Sequence, residues 1–301
     1  MDSRQDIREF LTTRRARLTP EQAGLPDFGG NRRVTGLRRE EVALLAGMSV
    51  EYYVRLERGN AAGVSEAVLE GISRALRLDD AEHAHLVDLV RAANAGARPQ
   101  QRRRPARQQQ VAPAVQQTID AMSSVPAIVQ NGRLDILATN RLGSALFSDV
   151  FSDPQRPANF GRFVFLDARA HAFYRDWEGV AQQTVAILRS EAGRAPYDRV
   201  LSDLVGELST RSDPFRTLWG SHDVREHRSG TKQVHHPVVG DLDLTFVGMS
   251  LSSDPGLALI AYSAAPGTAS SDGLRLLESW AATRHEAART STAATESAGS
   301  T

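Results

Sequence analysis

The sequence predicts two domains: an all-α domain of five helices, then an α+β domain built on an antiparallel sheet. Three observations point there. Apolar residues recur at helical spacing up to about Asn94. Strand-like apolar runs bounded by turn residues begin only at Pro126. Between them lies a stretch of Gly, Pro, Arg and Gln without apolar periodicity, which reads as a linker. The expected boundaries are 1–95 for the helical domain, 96–112 for the basic linker, 113–282 for the α+β domain and 283–301 for a disordered tail.

The first helix runs from Asp2 to about Leu18, with Ile7, Phe10, Leu11 and Leu18 on its apolar side and Arg14, Arg15 and Arg17 near its end. Thr19-Pro20-Glu21-Gln22 then offers a capping residue, a proline at the first helical position and a Gln at the third; Gly24 stops this turn. An irregular stretch from Leu25 to Gly36 follows. Leu37, Val42, Ala43 and Ala46 share one face of a second helix, which Gly47 ends as a residue free to take positive φ. Ser49 caps a third helix, sending Tyr53 and Leu56 inward and Val50, Glu51, Tyr52 and Arg55 outward. A fourth helix starts near Ser65 and buries Val68, Leu69, Ile72 and Leu76. The fifth runs from Asp79-Asp80 to about Asn94, acidic at its start as the helix dipole prefers.

A short capped helix with exposed side chains, set behind a tight corner, is the geometry that enters a DNA major groove. An ordinary helix hairpin is the alternative; the tight turn and the crowded arginines weigh against it. Val50, Glu51, Tyr52 and Arg55 are expected at base edges, with Arg55 able to donate two bonds to a guanine. Glu51 either accepts from a cytosine amine or pairs with Arg55 at i+4. Arg32, Arg33, Arg38, Arg39 and Arg58, with Ser49 at the start of the third helix, are expected at phosphates, where they position rather than read. Solvated surface charge is the competing account of these arginines. Glu57 is expected in an internal ion pair, and a homodimer on an inverted repeat would supply enough base contacts.

In the second region, Pro126 to Ala138 predicts a hairpin turning at Asn131-Gly132. Asn140 caps a helix through Phe147, and helices follow at about 170–192 and 197–211. Strands over Gln233–Val239, Leu242–Leu251 and Leu257–Ala264 are joined by Gly240-Asp241 and Asp254-Pro255-Gly256, so they pair antiparallel. Hairpin, short helices and a long antiparallel pair is the element order of a PAS-like fold.

Composition sets limits. Formal net charge is zero, yet residues 1–110 hold 19 arginines against 15 acids and the remainder is correspondingly acidic, as expected when one part meets phosphates. Lys232 is the only lysine beside 35 arginines. No apolar run approaches the roughly 20 residues that cross a bilayer. The absence of cysteine excludes disulfides, thiolate zinc sites and a cysteine nucleophile. With a charged N-terminus, these features favour the cytoplasm. No phosphate loop and no G-x-S-x-G elbow is present, so no cofactor, metal or enzyme activity is expected. His222, His227, His235 and His236 invite a metal, but a strand would put His235 and His236 on opposite faces. A hydrolase using Ser221 and His222 lacks a nameable third partner.

Arg32-Arg33-Val34-Thr35-Gly36-Leu37-Arg38-Arg39-Glu40-Glu41-Val42-Ala43, with Ser49-Val50-Glu51-Tyr52-Tyr53 and Arg55-Leu56-Glu57-Arg58-Gly59, strongly resembles the helix-turn-helix of XRE/Cro-type bacterial regulators, and within them the MmyB-like transcription regulators. Arg38 departs from that pattern, since many members carry Ser or Thr there; the cap would come from Thr35, Gly36 or a DNA phosphate. The resemblance extends through Trp219-Gly220-Ser221-His222-Asp223-Val224-Arg225, His236-Pro237-Val238-Val239-Gly240-Asp241-Leu242, Tyr262-Ser263-Ala264-Ala265-Pro266-Gly267-Thr268 and Ser279-Trp280-Ala281, roughly residues 2–282. It implies a transcription regulator acting on double-stranded DNA, with a PAS-like domain able to hold a fatty-acid-like amphiphile.

Leu244, Phe246, Leu257, Leu259, Phe163 and Phe165 are the expected cavity walls, with core filling as the bland alternative. Trp219, His222, Arg225 and His236 are expected beside them. Arg225 matches a carboxylate with two parallel bonds, unless Asp223 neutralises it. A second domain that binds another protein and no small ligand is the other class of function kept open.

Overall fold

The computed structural model describes residues 3–25, 34–95, 110–220 and 229–298. Chain packing forms two compact units, residues 1–103 with 185–226, and residues 104–184 with 227–301.

The first unit holds the five expected helices: α1 (Ser3–Arg17), α2 (Arg39–Ala46), α3 (Val50–Glu57), α4 (Glu66–Leu76) and α5 (Asp80–Ala95). Their boundaries follow local chemistry. Thr19 and Gln22 exchange side-chain-to-backbone hydrogen bonds, a complete capping box over the single turn that Gly24 ends at φ 78°. Asp79 and Glu82 form the same box at the start of α5. Gly47, at φ 70°, closes α2 in the left-handed region. Ile7, Phe10, Leu11, Leu37, Val42, Ala43, Tyr53, Leu56, Leu69, Ile72, Leu76 and Leu86 build one core. Two glycines let α1 approach the rest closely. A Cβ on Gly36 would sit 2.5 Å from the Ala16 carbonyl oxygen, and one on Gly59, at φ 86°, would sit 2.3 Å from that of Arg4.

The second region opens with α6 (Pro113–Ala121), β1 (Ala127–Asn131), β2 (Ile136–Thr139), α7 (Arg141–Leu146) and α8 (Ser148–Phe151). Then come α9 (Phe160–Leu166), α10 (Arg169–Phe173) and α11 (Trp177–Arg194), followed by α12 (Arg199–Arg211) and α13 (Asp213–Gly220), which belong to the first unit. It closes with β3 (Ser229–His236), β4 (Gly240–Ser250), β5 (Leu257–Ser263) and α14 (Ala269–Ala298). The sheet is antiparallel throughout, in the order β2-β1-β5-β4-β3, a PAS-like arrangement.

Asn140 holds its N-terminal side together. Its Oδ1 accepts from the Gly143 and Ala127 amides at 2.7 and 3.1 Å, capping α7, while Nδ2 donates to the carbonyls of Ile119, Met122 and Val125. The β1–β2 hairpin is present, but its turn differs from a two-residue Asn-Gly type. Leu134 takes the positive φ, 66°, and Asn131 is buried with its Oδ1 accepting from the Arg133 and Asp135 amides. Asp135 in turn accepts from Asn131 and Asn159, so side-chain bonding overrides the dipeptide preference. The Arg175 amide donates to the Gln233 carbonyl and Tyr174 bridges Val234, which covers part of edge strand β3.

The last helix runs past the expected domain end at residue 282. α14 continues to Ala298, and the alanines, arginines and glutamates of its distal half are strong helix formers.

Candidate nucleic-acid interface and ligand site

Glu57 organises the corner between α2 and α3. Its side chain is almost fully buried, Oε1 accepts from Arg15 Nε at 2.7 Å, and Oε2 accepts from Arg39 Nε. Arg15 also donates to the Leu37 carbonyl at 2.9 Å. Tyr53 Oη lies 3.4 Å from Glu57 Oε1, and burial, followed by the Glu57 charge, pushes its phenol well above the usual range. The internal ion pair expected for Glu57 is therefore formed, and Tyr53 and Leu56 lie fully in the core.

With that face of α3 buried, the opposite one is free. Val50 is 39% exposed, Glu51 and Arg55 are exposed, and Tyr52 is half-buried. Ser49 Oγ accepts the Tyr52 amide at 3.1 Å, so its oxygen serves the cap first. The Arg55 guanidinium lies 4.7 Å over the Tyr52 ring, a cation–π contact, instead of pairing with Glu51. Val50, Glu51, Val54, Arg55, Arg58 and Asn60 line a shallow hollow of about 580 Å³.

The expected phosphate residues divide. Arg38 is exposed at the N-terminus of α2 and carries no acceptor, so the cap works in one direction only: its amide donates to Glu41 Oε2 at 2.6 Å. Its guanidinium is 3.6 Å from Glu40. Arg39 is half exposed and shared with Glu57, and Arg58 is exposed at the end of α3. Arg32 and Arg33 lie outside the described residues, as do His222 and Arg225.

The expected ligand residues do not form one wall. Strand register puts Phe246 opposite Tyr262 and Lys232 opposite Leu244, so Leu244 and Phe246 share the inner face. Leu257 and Leu259 point the other way, into a cluster with Ile119, Ala127 and Val129 that α6 helps cover. Their assignment to the same cavity is corrected by the two-residue period of the strand. Phe163 packs edge-on against Phe173 and Tyr174, and Phe165 against Trp177. Phe147, Phe160, Tyr262 and Phe246 continue this ring packing along the inner face.

His236, expected beside the cavity walls, spends both ring nitrogens on the backbone. It is wholly buried, its Nε2 donates to the Ala145 carbonyl at 3.0 Å, and its Nδ1 accepts the Val238 amide at 3.2 Å. Burial lowers its pKa below the usual value, only partly opposed by the Ala145 bond. Trp219 belongs to the first unit, stacked on Phe215 with Arg189 over its ring.

Two features escaped the sequence reading. Lys232 Nζ is half-buried on the inner face, 3.0 Å from Gln183 Oε1 and over the rings of Tyr174 and Phe246 at 5.8 and 5.6 Å. Only its parity with Val234 and His236 along one strand hinted at this. A groove of about 1120 Å³ is lined by Thr139, Asn140, Arg141, Ser148, Trp280 and Arg284 among others, and by none of the expected ligand residues that the structure describes.

Comparison with known proteins agrees with this architecture. Residues 6–86 match a helix-turn-helix domain, and residues 111–277 match the MmyB-like transcription regulator ligand binding domain. No curated protein matches the chain. With more than half of its length in that second match, behind a helix-turn-helix whose exposed face has just been described, the chain belongs to the MmyB-like transcription regulators, DNA-binding proteins that carry a ligand-binding domain.

Proposed function

We propose that this regulator reads a specific duplex sequence through Val50, Glu51, Tyr52 and Arg55, and that a fatty-acid-like amphiphile in the second domain controls the reading. The observation that carries the proposal is the division of α3. Tyr53, Leu56 and Glu57 are locked into the core, while Val50, Glu51 and Arg55 stand exposed behind a Ser49 cap. Arg38 and Arg58 flank that face as phosphate contacts, with Arg32, Arg33, Arg39 and Ser49 as further candidates from the sequence. Two copies on an inverted repeat double the base contacts that one short helix supplies. Ligand occupancy acts by favouring one pairing of the two copies, which requires a difference in ligand affinity between the pairings.

Selection of bound duplexes from a random pool by the full chain tests the first part. A single enriched inverted repeat is expected. Arg55→Ala should relax preference at one base position by about 1–3 kcal/mol and leave the others intact. Enrichment of no sequence would refute the reading. Native mass spectrometry of the purified chain addresses the second part through a co-purifying acyl mass.

The packed aromatic rings on the inner sheet face favour a second reading, in which the α+β domain binds another protein and holds no small molecule. A clean apo mass and ligand-independent footprints would select it.

A further inference from the structure

We propose that Lys232 is the cationic anchor for the carboxylate head of the amphiphile; this inference rests on the ligand-controlled reading above. Lys232 is the chain's only lysine, so nothing about it follows from abundance. It sits on β3 at a position whose strand neighbours of the same parity, Val234 and His236, are fully buried, and its cross-strand partner Leu244 is buried too. An ammonium on such a face is costly unless its donors are used.

The surroundings supply little of what it needs. Gln183 Oε1 takes one of its three N–H bonds at 3.0 Å, and the faces of Tyr174 and Phe246 offer a diffuse negative field. Asp176 is the acid that contributes at longer range, yet its carboxylate is committed to the Gly179 amide at 3.0 Å. Among the described residues no carboxylate lies within ion-pair distance of Lys232. Two N–H donors therefore have no acceptor among the described residues, and a carboxylate could take both. The walls around the ammonium, Leu244, Phe246 and Tyr174, are apolar or aromatic, which suits the first carbons of an acyl chain. Next along the strand, Gly230 presents no side chain and lies under the Phe246 ring, where a Cβ would approach to 3.1 Å. Burial, opposed by Asp176, brings the amine down to about 8, so it is cationic at neutral pH while remaining sensitive to a new neighbour.

The test uses the full chain with dodecanoate and 1-dodecanol, which share a chain and differ in head charge. Titration calorimetry on wild type and Lys232→Met should show the carboxylate weakened about tenfold or more and the alcohol changed less than twofold. Lys232→Arg should retain most carboxylate affinity. Since there is one lysine, incorporation of 13Cε-lysine gives a single ε signal. Its titration midpoint should rise on adding dodecanoate and stay put with dodecanol, a readout that needs no variant to fold. Equal losses for both probes in Lys232→Met, or an unmoved midpoint with dodecanoate bound, would overturn the assignment while leaving ligand binding standing. Binding of neither probe to wild type would remove the ligand reading and this inference together.

Discussion

Replacing Glu57 by Gln is the sharpest test of the corner that presents α3. The carboxylate side chain is 2% exposed and serves two arginines of unequal burial, Arg15 at 13% and Arg39 at 52%. Removing one member of a buried pair costs about 3–5 kcal/mol, because the remaining charge loses its compensation. Arg39 can turn to water, so its share falls in the surface range of about 0–1 kcal/mol. Arg15 keeps its bond to the Leu37 carbonyl but loses its counter-charge. The expected total is about 3 kcal/mol, assigned chiefly to Arg15. Backbone hydrogen exchange in the full chain reads this locally. Amides of Val50–Glu57 should exchange about 10²-fold faster at that magnitude, with β4 and β5 unaffected. An Arg15→Met, Glu57→Leu pair should recover most of the protection, since apolar replacement removes both charges at once. Acceleration below about fivefold in Glu57→Gln, or a double variant no better than the single, would refute the reasoning.

Three further outcomes follow from the packing. Asn140→Ala removes the acceptor of two backbone amides and the two N–H donors shared among three carbonyls, and should cost at least about 3 kcal/mol, seen as lost near-ultraviolet dichroism of the α+β domain at lower temperature. Gly59→Ala combines a φ of 86° with a 2.3 Å approach to the Arg4 carbonyl oxygen; it should raise exchange in α1 and α3 together, whereas Gly63→Ala, with open space at its Cβ, should show backbone strain alone. His236 is held neutral by burial, so its folded pKa lies below the unfolded value of 6.5. Its contribution is complete above that value and is lost as pH falls through it toward the folded pKa. Denaturant midpoints should therefore decline from pH 7 to pH 5, and less steeply in His236→Gln.

The five front helices, the hairpin and the last three strands are legible because their boundaries are written locally, whereas α6, α8, α9 and α13 are not, and the helix expected at about 170–192 divides into α10 and α11. Thr19 with Gln22, Asp79, Ser49 and Asn140 are caps, Gly47 is a left-handed stop, and the inward set of α3 follows from a period of 3.6. The Asn131 turn was read correctly in place and incorrectly in kind, since buried partners Asp135 and Asn159 outweigh the preference of an Asn-Gly pair.

The sequence by itself determined the two-part architecture, the family resemblance, the capped third helix and which of its side chains face out, all of which depend on neighbours within about one or two helical turns. Only the tertiary structure decided that Leu257 and Leu259 face away from Leu244 and Phe246, that Glu57 reaches back 42 residues to Arg15, that His236 is fully satisfied by backbone, and that the lone lysine lies among aromatic rings. Those outcomes are set by strand register and by contacts between distant segments. A one-residue slip in pairing would exchange every inward side chain for an outward one without altering any local pattern.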